Sequence, residues 1–213
     1  MKKLIKKFFA KKGKTRKTKG QSLVEITLTF PLLLIMLSGL VEFGFMLNYY
    51  LSLTDATRET ARFFSNFDPF DEFGNDDLNG FYAPAADFLL NNLEPANSAD
   101  TSRKIALDIT TDDVVISVFS VSNGTISRRF PNMNGGEYRY YDNVVSRFSN
   151  AEVESRLEAT APDTGILLVE VYYDYWQVLG LPWLAPFLSD PVTLYGYTMM
   201  PLSAAEPTPT PRP

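Results

Sequence analysis

Any chemistry in this chain must be done without histidine or cysteine, because its 213 residues contain neither. Triads built on His, thiol nucleophiles and the commonest zinc sites are thereby excluded. The remaining groupings are adjacent acid pairs such as Asp76-Asp77 and Asp112-Asp113. Clustered carboxylates are what a Ca²⁺ site or a glycosidase dyad needs. Neighbouring side chains usually point apart, however, and neither EF-hand spacing nor a Gly-rich phosphate loop accompanies them. No catalytic residue, metal ligand or cofactor is expected. With no Cys, the chain uses no disulfide and is indifferent to redox compartment.

Two other acids stand out by their surroundings. Glu25 lies at the threshold of a long apolar run, and Glu42 is the one charge inside it, from Ile26 to Leu47. Those 22 residues form a helix of roughly 33 Å at about 1.5 Å per residue, enough to cross a hydrocarbon core of about 30 Å. Thirteen of them are Leu, Ile, Phe or Val. At roughly −0.3 to −0.6 kcal/mol each these sum to about −6 kcal/mol, against about +2.5 to +3.5 for one acid near the centre. The run therefore inserts despite Glu42. A buried core helix is the soluble alternative, but such helices usually keep a polar face, and Leu32 to Leu37 is apolar all round. A cleaved secretory signal has an h-region of about 7–15 residues and a small-residue site after it. This run gives way instead to Asn48-Tyr49-Tyr50. Glu42 needs water or a partner, and is read as a subunit contact or a residue near the outer interface.

The chain before the run is cationic. Met1 to Lys19 holds nine lysines, Arg16 and no acid, half of the 20 basic residues. The positive-inside rule keeps this end in the cytoplasm and predicts an extracytoplasmic C-terminal part. Nucleic-acid binding is the competing account, but the charges directly precede a span and no aromatic stacking pattern interleaves them. Attraction to anionic lipid follows as a secondary effect, and Met1 to Phe9 fits a short interfacial helix. Without residues 1–20, 10 basic stand against 25 acidic residues, a formal charge of −15. Such a balance favours solubility outside the cell and argues against nucleic acid as a partner.

Gly20 after a basic leader, with Glu25 five positions on, resembles the processing site of type IV prepilins. There a membrane aspartyl peptidase cuts after the Gly and leaves the hydrophobic helix on the mature chain. The first mature residue here would be Gln21. Its new α-amine could neutralise Glu25 of a neighbouring subunit in a filament, since an unpaired carboxylate in lipid is costly. Read by itself, Glu25 also fits the aqueous end of a membrane anchor.

The following residues extend the likeness: Gly20-Gln21-Ser22-Leu23-Val24-Glu25, Phe30-Pro31-Leu32-Leu33-Leu34, Gly39-Leu40-Val41-Glu42-Phe43-Gly44, and Thr54-Asp55-Ala56-Thr57-Arg58-Glu59-Thr60-Ala61-Arg62. In this order and spacing the chain resembles TadE/TadG-like pseudopilins, minor pilin-like components of the Tad (Flp) tight-adherence pilus. That resemblance implies cleavage after Gly20 by a prepilin peptidase. The partners it implies are membrane lipid, other pilins or pseudopilins, and the Tad assembly platform. The family often has Ala or Gly where this chain has Thr57 and Thr60, and a basic residue where it has Phe45.

The apolar helix is expected to continue beyond the membrane to about Ser65. Leu47, Tyr50, Leu51, Thr54, Arg58, Ala61 and Phe64 keep three- and four-residue spacing. Asp55 with Arg58 and Glu59 with Arg62 are pairs at i, i+3. Pro31 should bend or loosen the helix, because it removes one backbone donor and crowds the preceding turn. Glu25, Pro31, Glu42, Arg58, Glu59 and Arg62 are the residues expected to make helix or subunit contacts.

Residues 66–201 read as one small extracytoplasmic α+β domain, with an antiparallel sheet and short helices. Asn66 to Gly80 is a surface loop by composition, and Ala83 to Leu93 is helical with Pro84 in its first turn. Ile105 to Ile109 fits a short strand, and Val114 to Val121 a clear one. Asn123-Gly124 signals a hairpin into Ile126 to Phe130. Pro131 to Tyr141 is a loop whose tyrosines fit either a sugar site or a plain solvent-exposed connection. Ser149 to Glu152 is a capping-box pattern opening a helix to about Thr160. Strands follow at Ile166 to Trp176 and Val192 to Met199, joined by an aromatic, Leu/Pro-rich tip. This ending also resembles the family's C-terminal region. Trp183 and Phe187 suit packing on a neighbouring subunit or in a local mini-core. Residues 202–213, rich in Pro and Thr, are expected to be disordered or extended.

Two functional classes follow. One is a processed minor pilin that helps assemble or prime a Tad-type pilus for surface adhesion. The other is an uncleaved bitopic protein presenting an acidic binding module or adhesin.

Overall fold

The computed structural model describes residues 19–94, 104–158, 163–183, 186 and 189–205. The basic leader with its Met1 to Phe9 helix, the end of the helix predicted to reach Thr160, Phe187 and the Pro-rich segment after 205 lie outside these residues. The chain divides into two compact units, residues 1–41 and 42–213. Helix α1 (Lys19–Phe64) begins in the first and ends in the second, and it runs unbroken through Pro31. In the first unit its side chains from Ser22 to Leu37 are all exposed.

The second unit is α+β. After α1 come a π-helical turn (Leu78–Tyr82), α2 (Ala83–Leu93), β1 (Asp113–Ser122), β2 (Thr125–Phe130), β3 (Tyr138–Arg139), α3 (Asn150–Glu154), β4 (Thr164–Tyr175), β5 (Val192–Pro201) and a 3-10 turn (Ser203–Ala205). The strands form one antiparallel sheet in the order β2-β1-β4-β5, with β3 sharing the β2 edge of β1. Period-two alternation sorts the central strands between two faces. Val114, Ile116 and Val118 pair with Val171, Val169 and Leu167, and this face packs under α1 and α2 through Leu53, Ala56, Phe64, Ala85 and Leu89. On the opposite face Phe119, Val121, Ile166 and Leu168 meet Phe148 and Val153. With both faces covered, β1 is buried from Asp113 to Val121, which explains its nearly continuous apolar sequence.

Turn chemistry and close approach set the connections. Asn123 and Gly124 both have positive φ, 52° and 74°, as a two-residue type I′ hairpin requires. The Ser149 hydroxyl accepts from the Glu152 N–H at 3.2 Å and so caps α3. At Gly196 an added Cβ would lie 3.4 Å from the α1 backbone at Leu53 and Thr54, so the small residue lets helix and sheet approach closely. The Thr57 hydroxyl crosses this contact to that of Thr198 at 3.0 Å. Gly165 gives similar room at the other end, where an added Cβ would stand 2.1 Å from the Leu202 carbonyl oxygen.

Several local expectations are corrected. Ile105 to Ile109 is not a strand, because the Asp108 carboxylate takes the Thr110 N–H and hydroxyl and bends the backbone into a turn. The Pro131 to Tyr141 loop contains β3. Helix α3 closes at Glu154, where Arg156 and Leu157 already bond three residues back and the Glu154 carboxylate is taken by the Ile126 N–H at 2.7 Å. After β5, Leu202 and Ala205 are buried and the Leu202 N–H reaches the Gly165 carbonyl at 2.8 Å.

Candidate functional site

The residues that could do work fall into two sets, a bare helical segment and a group of buried carboxylates. Gly20, Gln21, Glu25 and Pro31 all lie on α1 within the first unit. An added Cβ at Gly20 would meet nothing within 4 Å. Since Gly in a helix costs about 0.8–1.0 kcal/mol relative to Ala, packing among the described residues gives no reason for it. Leu23, Ile26, Leu28 and Met36 stand among the most exposed large apolar side chains. One helix among the described residues is long and apolar enough to cross a membrane, and none of its most apolar window is buried. Surface of that kind is covered by lipid or by protein in any working state.

Glu42, the first residue of the second unit, behaves differently. Its side chain is 1% exposed, and both carboxylate oxygens accept from the stretch that follows β4. Tyr175 donates its hydroxyl and Val178 its N–H at 2.8 Å to Oε1, while Leu179 donates its N–H at 2.9 Å to Oε2. Tyr49, two turns on along α1, packs edge-on against Tyr175 and stacks on Tyr173. A charge read in sequence as needing a subunit or interface partner thus has its hydrogen bonds met inside its own chain. Further along, Arg58 with Asp55 at 3.6 Å and Arg62 with Glu59 at 3.0 Å form the two expected pairs on the exposed side of α1. Both are solvated and contribute little to stability.

The acid pairs serve as pins. The Asp112 carboxylate accepts from the N–H groups of Asp108 and Asp174, each at 2.8 Å, and burial raises its pKa in spite of them. Asp113 accepts from the N–H groups of Tyr141, Asn143 and Val144. Asp76 takes the Asn132 N–H, and Asp77 takes that of Gly80 at the start of the π-helical turn. Oxygens facing fixed N–H donors present their lone pairs to the protein rather than to a cation or substrate. Among the described residues no group of three or more His, Cys, Asp or Glu is placed to hold a metal.

Two further buried acids were not singled out in the sequence. Glu170, on β4, accepts from the hydroxyls of Ser146, Tyr172 and Tyr195 and from the Arg147 N–H. Burial, and then the Glu170 charge, push both tyrosine hydroxyls above their usual range. Glu137 takes Arg129 at 3.1 Å, Arg139 at 2.7 Å and the Ser146 N–H at 3.2 Å. One signal for Glu170 was available: a single acid inside Ile166-Leu167-Leu168-Val169-Glu170-Val171-Tyr172, with a tyrosine two residues on and therefore on the same face. Together these acids tie residues 137–148 to the sheet.

Among the described residues, the fold and these contacts define one bare apolar helix and an antiparallel α+β domain whose buried acids are hydrogen-bonded within the chain. Residues 20–62 match the family described as TadE-like protein, starting at Gly20 and covering the exposed helix and the part of α1 that packs on the sheet. No curated protein and no solved structure matches the chain.

Proposed function

We propose that this chain is a minor pilin-like component, a pseudopilin, of a Tad/Flp-type pilus, not an enzyme, and that a prepilin peptidase cuts it after Gly20. The observation that carries the reading is the coincidence of three features at one place: the TadE-like match starts at Gly20, the glycine is not demanded by packing among the described residues, and exposed apolar helix follows from Ser22. The basic leader sets an N-in, C-out single pass, with the leader and residues 21–65 as separate functional segments and residues 66–201 as the core of the extracytoplasmic domain. After cleavage the helix from Gln21 is the assembly handle. Glu25 meets a neighbour's α-amine, and the exposed pairs of Arg58, Glu59 and Arg62 are open to subunit contacts. Membrane lipid, other pilins and the assembly platform are the partners, nucleic acid is not, and the acidic domain is carried on a pilus that serves adhesion. A domain of this size suits a minor subunit better than the repeating shaft unit.

Mass spectrometry of membrane and pilus fractions tests this directly. A mature N-terminus at Gln21, abolished by Gly20→Asp, is the expected result. Protein that retains the lysine-rich leader at its working location would instead be an uncleaved bitopic binding module. Deleting the chain, then counting pili and measuring attachment, tests the role in assembly.

A further inference from the structure

We infer that the first arm of the connection between β4 and β5, Trp176 to Trp183, is a second membrane-contacting element, which seats in the outer lipid headgroup boundary beside the helix; this rests on the single-pass reading above. Trp176 to Pro191 contains two tryptophans, no Lys or Arg, and one acid, Asp190. That acid accepts the Gln177 N–H at 3.2 Å, closing the neck of the tip. At and beyond the neck apolar side chains turn outward: Trp176 is 63% and Val178 52% exposed, and Trp183 is also exposed.

Glu42 fixes the level of this tip. Its two bonds from the Val178 and Leu179 N–H groups hold the tip backbone against α1 at that residue. Glu42 lies five residues before Leu47, the last residue of the apolar run, hence about 7.5 Å inside its outer end at about 1.5 Å per residue. Interfacial elements embed their apolar face about 5–10 Å into the headgroup boundary, and tryptophan is the side chain most enriched there. The same arrangement explains how a carboxylate is tolerated in the run: the tip brings its own N–H groups to it, where lipid has none to offer.

The chain's two tryptophans are both in this tip, so tryptophan emission, excited at the red edge where tyrosine does not absorb, reports on it alone. The full chain is reconstituted in phosphatidylcholine vesicles, with and without lipid brominated on the acyl carbons nearest the headgroup. Expected are emission blue-shifted relative to the denatured chain, loss of most of it in brominated vesicles, and weak quenching by aqueous acrylamide, with the Trp176 signal isolated in Trp183→Phe. Tryptophans open to acrylamide and indifferent to brominated lipid overturn the proposal. So does protection that appears only as the protein-to-lipid ratio rises, which would make the tip a contact with a second copy. Flotation of the same vesicles after alkaline carbonate separates the two layers of argument. Chain that floats while its tryptophans stay in water refutes the tip alone, and chain that is stripped off refutes the membrane span and the tip together.

Discussion

Glu42 and Glu170 meet the same difficulty, a carboxylate away from water, and both are met by donors distant in the chain. Glu42 relies on Tyr175, Val178 and Leu179, and Glu170 on Ser146, Arg147, Tyr172 and Tyr195. An unpartnered buried charge would shift its pKa or unfold the site, so each acid specifies which segments lie beside it. Thr60 is the contrasting case. It is fully buried on the sheet-facing side of α1, and its hydroxyl has no hydrogen-bond partner among the described residues. A buried hydroxyl without a partner costs about 1–3 kcal/mol, and Val reproduces its shape. Thr60→Val is therefore expected to raise stability by about 1 kcal/mol, read as a higher thermal midpoint in detergent. Thr57 should not respond in that way, because its hydroxyl is used by Thr198. At this scale the sequence flagged Glu42 as needing a partner but held no sign of which, since the partners lie more than 130 positions away.

Elements followed from local pattern wherever the stabilising interaction was itself local. The Asn123-Gly124 hairpin, the Ser149 cap and the limits of α2 needed only neighbouring residues, and they stand close to where sequence puts them. The strand expected at Ile105 to Ile109 failed because Asp108 offered the backbone a competing set of hydrogen bonds. Strand β3 went unseen because its two residues are strand only by pairing with β1. The strongest test of how elements hold one another lies at Glu42, which joins α1 to the end of β4. Glu42→Gln keeps the volume but replaces one acceptor oxygen by an NH₂ group facing an N–H donor. A loss of about 1–3 kcal/mol is expected for the broken bond and the repulsion, visible as a lowered unfolding midpoint of the detergent-solubilised chain. An unchanged midpoint would mean that the N–H group left facing the amide finds another acceptor.

For the whole molecule, charge and hydropathy organise the chain before any contact is considered. The leader's ten basic residues offset an otherwise acidic chain, so cleavage after Gly20 takes the formal charge from −5 to −15. Isoelectric focusing should accordingly show the processed chain at a lower pH than the precursor, whose sequence pI is 4.9, and Gly20→Asp should leave only the higher band. The apolar run, the basic leader, the TadE-like motif block, the α+β class and the absence of His and Cys chemistry were all determined by the sequence alone. Each is a property of composition, or of residues within a few turns of one another. Tertiary structure alone decided the fate of the carboxylates: Asp112 and Asp113 became pins instead of a dyad, Glu170 acquired three hydroxyls, and Glu42 was closed over by the tip of a hairpin. Desolvating a charge is costly wherever it occurs, but the donors that offset that cost reach it only once distant strands have paired.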